Sequence, residues 1–117
     1  MFALTDSHRY HLYLGVTDMR KSFDGLCGLV SDQLKRSPFS GEVFLFINRR
    51  RDKLKLLKWE PGGFVLYYKR LEEGTFELPA LNEQNSYEMS WTDLILMVEG
   101  IQLTSTKKRK RYERKTG

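Results

Sequence analysis

Residues 42 to 70, EVFLFINRRRDKLKLLKWEPGGFVLYYKR, constrain the fold more than any other part of this chain. Three apolar runs rich in aromatic and β-branched residues are separated by very short polar breaks. NRRRD at 48 to 52 is turn-forming. In PGG at 61 to 63, proline presets one φ and glycine permits a positive one. Strands this close in sequence have room only for hairpin connections, so the stretch predicts an antiparallel meander.

The flanking segments add two helices and one strand. Residues 9 to 15 alternate, with Tyr10, Leu12 and Leu14 on one face and His11 and Tyr13 on the other. In TDMRKSFDGLCGLVSDQLKRSP, Phe23, Leu26, Cys27, Val30 and Leu34 form one apolar stripe at helical spacing. Thr17 is the expected N-cap, and Pro38 the expected stop. Ser90, followed by Asp93, resembles a capping box ahead of a second, shorter helix ending near Gly100. Its apolar face is read as Trp91, Leu94, Ile95 and Val98. Residues 72 to 89 read as a loop with one short edge strand, and 101 to 103 as a last short strand. The expectation is an α+β fold: an antiparallel meander of about three to five strands, one long helix packed on it, and a second short helix. Residues 1–105 are expected to form one domain, and 106–117 a disordered basic tail.

Charge is sharply segregated. Residues 49 to 70 hold eight basic and two acidic side chains, residues 71 to 106 hold seven acidic and no basic ones, and residues 107 to 117 hold seven basic and one acidic. The net charge of +5 thus hides alternating blocks, and such blocks bear on partners more than on fold. Cys27 is the only cysteine, so no disulfide can form within the chain, which fits a reducing cytoplasm. No apolar run approaches membrane-spanning length, and no basic segment followed by an apolar core suggests secretion. His8, His11 and Cys27 lack the paired short spacing of a metal site. FDGLCG lacks the lysine and hydroxyl residue of a phosphate-binding loop. The carboxylates show no acid/base pairing, so neither catalytic residues nor a cofactor are expected.

Alternation along residues 53 to 60 places Lys53 and Lys55 together, pointing away from the long helix. Arg49, Arg50 and Arg51 occupy the adjoining turn. Tyr67 and Lys69 are expected to join them on one open, basic, partly aromatic face. Such a face can hold phosphates through lysine and arginine. A merely solvated sheet face would carry the same lysines.

DMRKSFDGL at 18 to 26, PFSGEVFLFINRRRDKLKLLKWEPGGFVLYYKRLEEGTFELP at 38 to 79, and LILMVEGI at 94 to 101 resemble the TnpB accessory proteins of IS-sixty-six-type insertion sequences, which are unrelated to the RNA-guided nuclease of the same name. The likeness spans about residues 10 to 103, departing from the commonest pattern at Pro61. It implies a bacterial transposition protein encoded beside a larger transposase and without a catalytic activity of its own. DNA and that transposase are the partners it implies. The family's motif positions here are Met19, Arg20, Lys21, Asp24, Gly25, Asn48, Arg49, Arg50, Lys55, Lys69, Arg70 and Glu72. Arg20 and Lys21 fall in what reads as the first helical turn, where cations oppose the helix dipole, so another use is expected of them. The candidate nucleic-acid-binding set is Arg20, Lys21, Arg49, Arg50, Arg51, Lys53, Lys55, Tyr67, Lys69 and Arg70, with Lys107, Lys108, Arg109, Lys110 and Arg111 of the tail. The alternative is an interaction module that docks on the transposase, through the acidic 72 to 99 segment, without DNA contacts of its own.

Overall fold

A computed structural model describes residues 4–99. The expected strand at 101 to 103, the stop at Gly100 and the basic tail lie outside them. Strands β1 (Tyr10–Val16), β2 (Val43–Ile47), β3 (Lys53–Glu60), β4 (Gly63–Arg70) and β5 (Ser86–Met89) form one sheet in the order β4-β3-β2-β1-β5. Helix α1 (Phe23–Asp32) links β1 to β2, and helix α2 (Trp91–Val98) follows β5.

The meander β2-β3-β4 forms as the short breaks require, with antiparallel registers Leu45↔Leu56 and Leu56↔Tyr67. Pairing runs to Glu60↔Gly63, leaving Pro61 and Gly62 as a two-residue loop in which Gly62 takes φ +97°. An alanine there strains the backbone, so Gly62→Ala is expected to lower stability by about 1 kcal/mol in urea unfolding. β5 is the short edge strand anticipated between 72 and 89, antiparallel to β1.

The sheet is mixed rather than antiparallel, because β1 pairs parallel to β2. Parallel neighbours need a crossover connection, and α1 supplies it. Alternation reveals each strand but not the direction of its neighbour.

Helix α1 is shorter than its apolar stripe suggests. The Thr17 N–H donates to the Ile47 carbonyl at 3.0 Å, so Thr17 extends the sheet instead of capping a helix. The Asp18 carboxylate accepts the Arg20 N–H at 2.8 Å, and the Lys21 N–H donates to the Asp18 carbonyl at 3.0 Å. This local turn competes with helix, a habit of aspartate. Arg20 and Lys21 therefore precede the helix and do not oppose its dipole. At the other end Lys35 takes φ +55°, and the Arg36 N–H reaches the Val30 carbonyl at 3.1 Å. At α2 the Ser90 hydroxyl accepts from the Asp93 N–H at 3.1 Å, the cap read from the sequence. Leu94 and Met97 carry its buried contacts, while Ile95 is exposed.

Both faces of the central strands are covered. Tyr10, Leu12, Val43, Leu45, Leu54 and Leu56 pack with Phe76, Leu94 and Met97 on one face. Tyr13, Phe44, Phe46 and Leu57 pack with Leu26 and Val30 of α1 on the other. Strands buried on two faces lose simple alternation, as in VFLFI, whose five residues are all buried.

Candidate nucleic-acid interface

The two ends of the sheet differ in charge pairing. At one end, Glu42 accepts from Arg36 Nη2 at 2.8 Å, His11 Nε2 at 2.7 Å and Ser40 Oγ at 3.0 Å. Arg9 bridges Glu88 at 2.8 Å. Burial opposes ionisation of Glu42, but its hydrogen bonds from Arg36, His11 and Ser40 outweigh it and bring the carboxyl down to about 2. A carboxylate with a lowered pKa stabilises the fold above its ordinary value, 4.5 here, and that stability is lost as pH falls toward about 2. Glu42→Gln is expected to cost about 2 kcal/mol at neutral pH and to flatten the acid dependence of stability in that window, read by thermal melts across pH.

The opposite end gathers the cations. The C-terminal ends of β1, β2 and β4 and the start of β3 meet there, through the registers Val16↔Ile47, Ile47↔Leu54 and Lys53↔Arg70. Loop 17 to 22 carries Arg20 and Lys21, and turn 48 to 52 carries Arg49, Arg50 and Arg51. Carboxylates answer some of them: Arg20 bonds Asp18 at 2.6 Å, Arg70 bonds Glu72 at 2.7 Å, and Lys53 lies 3.8 Å from Asp52. Hydrogen bonds from Arg20 bring the Asp18 carboxyl down to about 2. Lys21, Arg49, Arg50 and Arg51 are exposed and form no ion pair with another described residue.

The turn that displays the arginines is clamped by its flanks. Asn48 Oδ1 accepts the N–H groups of Asp52 and Lys53 at 3.1 and 3.0 Å, and Asn48 Nδ2 donates to Asp52 Oδ1 at 2.7 Å. The hydrogen bond from Asn48 lowers the Asp52 pKa, so the clamp favours the ionised carboxylate. Arg51 sits at φ +58°, and its carbonyl accepts the Phe76 N–H at 2.6 Å. Phe76 is itself fully buried, so the segment after β4 anchors the turn from outside. A rigid turn loses little entropy when its arginines engage a ligand. Between this turn and loop 16 to 19 lies a concavity of about 440 Å³, lined by Thr17, Asp18, Met19, Asn48, Arg49 and Arg50 among others. Thr17 is 1% exposed, and its Oγ1 forms no hydrogen bond with any described residue.

Four of the expected site residues lie differently from the sequence reading. Lys53 and Lys55 share their face with Leu57, which packs against α1, so they point toward the helix side and not away from it. Lys55 is 5% exposed, and its ammonium donates to the carbonyls of Met19 and Lys21 at 2.8 and 2.7 Å. Tyr67 and Lys69 pair with Leu56 and Leu54, which places them on the α2 face. Lys69 Nζ donates to the Val98 carbonyl at 2.7 Å, a cation at the negative end of α2. The aromatic residue beside Lys53 and Lys55 is Tyr68, 50% exposed, with Lys55 Nζ 4.7 Å from its ring centre. A shift of one residue in β4 separates the two readings. The tail residues Lys107, Lys108, Arg109, Lys110 and Arg111 lie outside the described residues. Among the described residues no group of His, Cys, Asp and Glu could hold a metal ion, and no helix is long and apolar enough to cross a membrane.

This geometry defines a small α+β sheet protein with paired charges at one end and an excess of exposed cations at the other. The chain belongs to the IS66 Orf2-like proteins of insertion sequences, matching that family over residues 8–108. Two proteins of Sinorhizobium fredii (strain NBRC 101917 / NGR234), both described as uncharacterized, are similar to it. Protein y4jC is 34% identical over 92 residues, covering 79% of this chain and 78% of its own length. Protein y4hO is 35% identical over 94 residues, covering 80% of each. No solved structure matches the chain.

Proposed function

We propose that this chain is a non-catalytic accessory protein of transposition that binds DNA, chiefly through phosphates, at the basic end of its sheet. The observation that carries this reading is the set Lys21, Arg49, Arg50 and Arg51: exposed, in no ion pair with another described residue, and with its three arginines displayed on a clamped turn. Folding leaves like charges side by side at a cost, and a polyanion relieves it. Arg20, Lys53 and Arg70 border the set and can exchange their carboxylates for phosphate. In this reading the transposase is met elsewhere, on the acidic segment 72 to 99.

The test separates the body from the tail. In the full chain, Lys107, Lys108, Arg109, Lys110 and Arg111 are replaced by glutamine, and binding to a labelled duplex is followed by anisotropy as salt rises. Four phosphate contacts predict a log-log slope of about −3 to −4. Loss of all binding in this variant assigns DNA to the tail alone and removes the sheet from the account.

A further inference from the structure

The helix-side face of the outer strands is left partly bare. α1 covers β1, β2 and Leu57, while Phe64 and Leu66 lie half-buried at the margin of its cluster. The residues that β3 and β4 turn to this face are Lys53, Lys55, Leu57, Trp59, Phe64, Leu66, Tyr68 and Arg70. They include three cations, three aromatic rings and no carboxylate.

The rings form a surface. Phe39, from the loop between α1 and β2, lies 5.2 Å from Trp59 and 5.3 Å from Phe64, and Trp59 lies 5.0 Å from Phe64. Phe39 is 60% exposed. Four residues farther along β4, roughly 13 Å away, Tyr68 is half exposed and steadied by the Lys55 ammonium. Beyond Tyr68 come Arg70 and the arginine turn. A partly exposed aromatic row running through Arg70 to the arginine turn matches the chemistry of an unpaired nucleic-acid strand, whose bases stack and whose phosphates need positive charge. A duplex offers the phosphates but hides the faces of its bases.

We propose that the Phe39–Trp59–Phe64–Tyr68 row binds single-stranded DNA by stacking, with the strand's backbone continuing onto the arginine turn. This rests on the DNA-binding reading above and specifies the form of DNA that this face takes.

The test uses the full chain, with an oligothymidylate and a duplex of equal length compared at one salt concentration. The single strand is expected to bind about 10-fold more tightly and to quench tryptophan fluorescence. Tyr68→Ala and Phe39→Ala are each expected to weaken the single strand about 5- to 10-fold with duplex affinity unchanged, while Tyr68→Phe keeps the wild-type value. Both residues are mostly solvent-facing, so the variants should fold, which circular dichroism checks. Unchanged single-strand affinity in both alanine variants overturns the proposal. So does an equal loss on duplex, which assigns the rings a structural role. If duplex binding survives and depends on the arginine turn, only this inference fails; if neither DNA form binds, the DNA reading fails with it.

Discussion

Lys55→Met is expected to lower the melting temperature by about 10 °C. The methionine fills the volume of the lysine stem but cannot donate a hydrogen bond. The carbonyls of Met19 and Lys21 then each lose a charged donor. Hydrogen bonds to charged groups contribute about 1.5 to 3 kcal/mol each. Relief from burying an ammonium offsets part of that, leaving a loss of about 2 kcal/mol. For a domain of this size, 1 kcal/mol corresponds to roughly 5 °C. Because the lost contacts hold the loop that carries Arg20 and Lys21, duplex affinity should fall as well, though less than in variants of the arginines. A melting temperature unchanged within 2 to 3 °C, roughly the resolution that half a kcal/mol allows, would show that this lysine does not organise the loop.

The largest effect on binding is expected from Arg49→Gln, Arg50→Gln and Arg51→Gln combined. These side chains are exposed and form no ion pair among the described residues, so their loss should leave the fold within about 0.5 kcal/mol of the wild type. Duplex affinity at moderate salt should fall about 10- to 100-fold, since each arginine can make a charge-assisted contact to phosphate. Asn48→Ala gives a useful contrast: it keeps all three arginines and removes the clamp. It should lower affinity by a smaller factor and stability by about 1 to 2 kcal/mol, because the N–H groups of Asp52 and Lys53 lose their acceptor.

The elements of this fold were legible where local chemistry decides them. The hairpin at Pro61 and Gly62, the cap at Ser90 and the two faces of Tyr10–Val16 all follow from residues within a few positions of each other. The parallel pairing of β1 with β2 was not legible, because it depends on where α1 returns the chain. Nor was the early end of the helix signal legible, because Thr17 is claimed by a carbonyl of β2 about thirty residues away. The arginine turn was visible as a charge run, and its clamp was readable in hindsight from Asn48 and Asp52 flanking it. The sorting of the lysines needed the register: Lys55 and Lys69 look like surface charges in sequence, yet each ammonium caps backbone carbonyls. Adjacent tyrosines give no local clue to which face is covered, so the sequence alone does not separate the exposed Tyr68 from Tyr67 on the α2 face.

The account turns on whether the arginine turn meets phosphate, and the most direct measurement is the difference in salt slope between two full-length proteins. Wild type and the triple glutamine variant are titrated with the same duplex across about 50 to 200 mM salt, and the basic tail, present in both, cancels. Three lost phosphate contacts predict a variant slope shallower by about 2.5 to 3. Parallel salt dependences with equal affinities would contradict the account, leaving the turn a solvated loop and the sheet without a role in holding DNA.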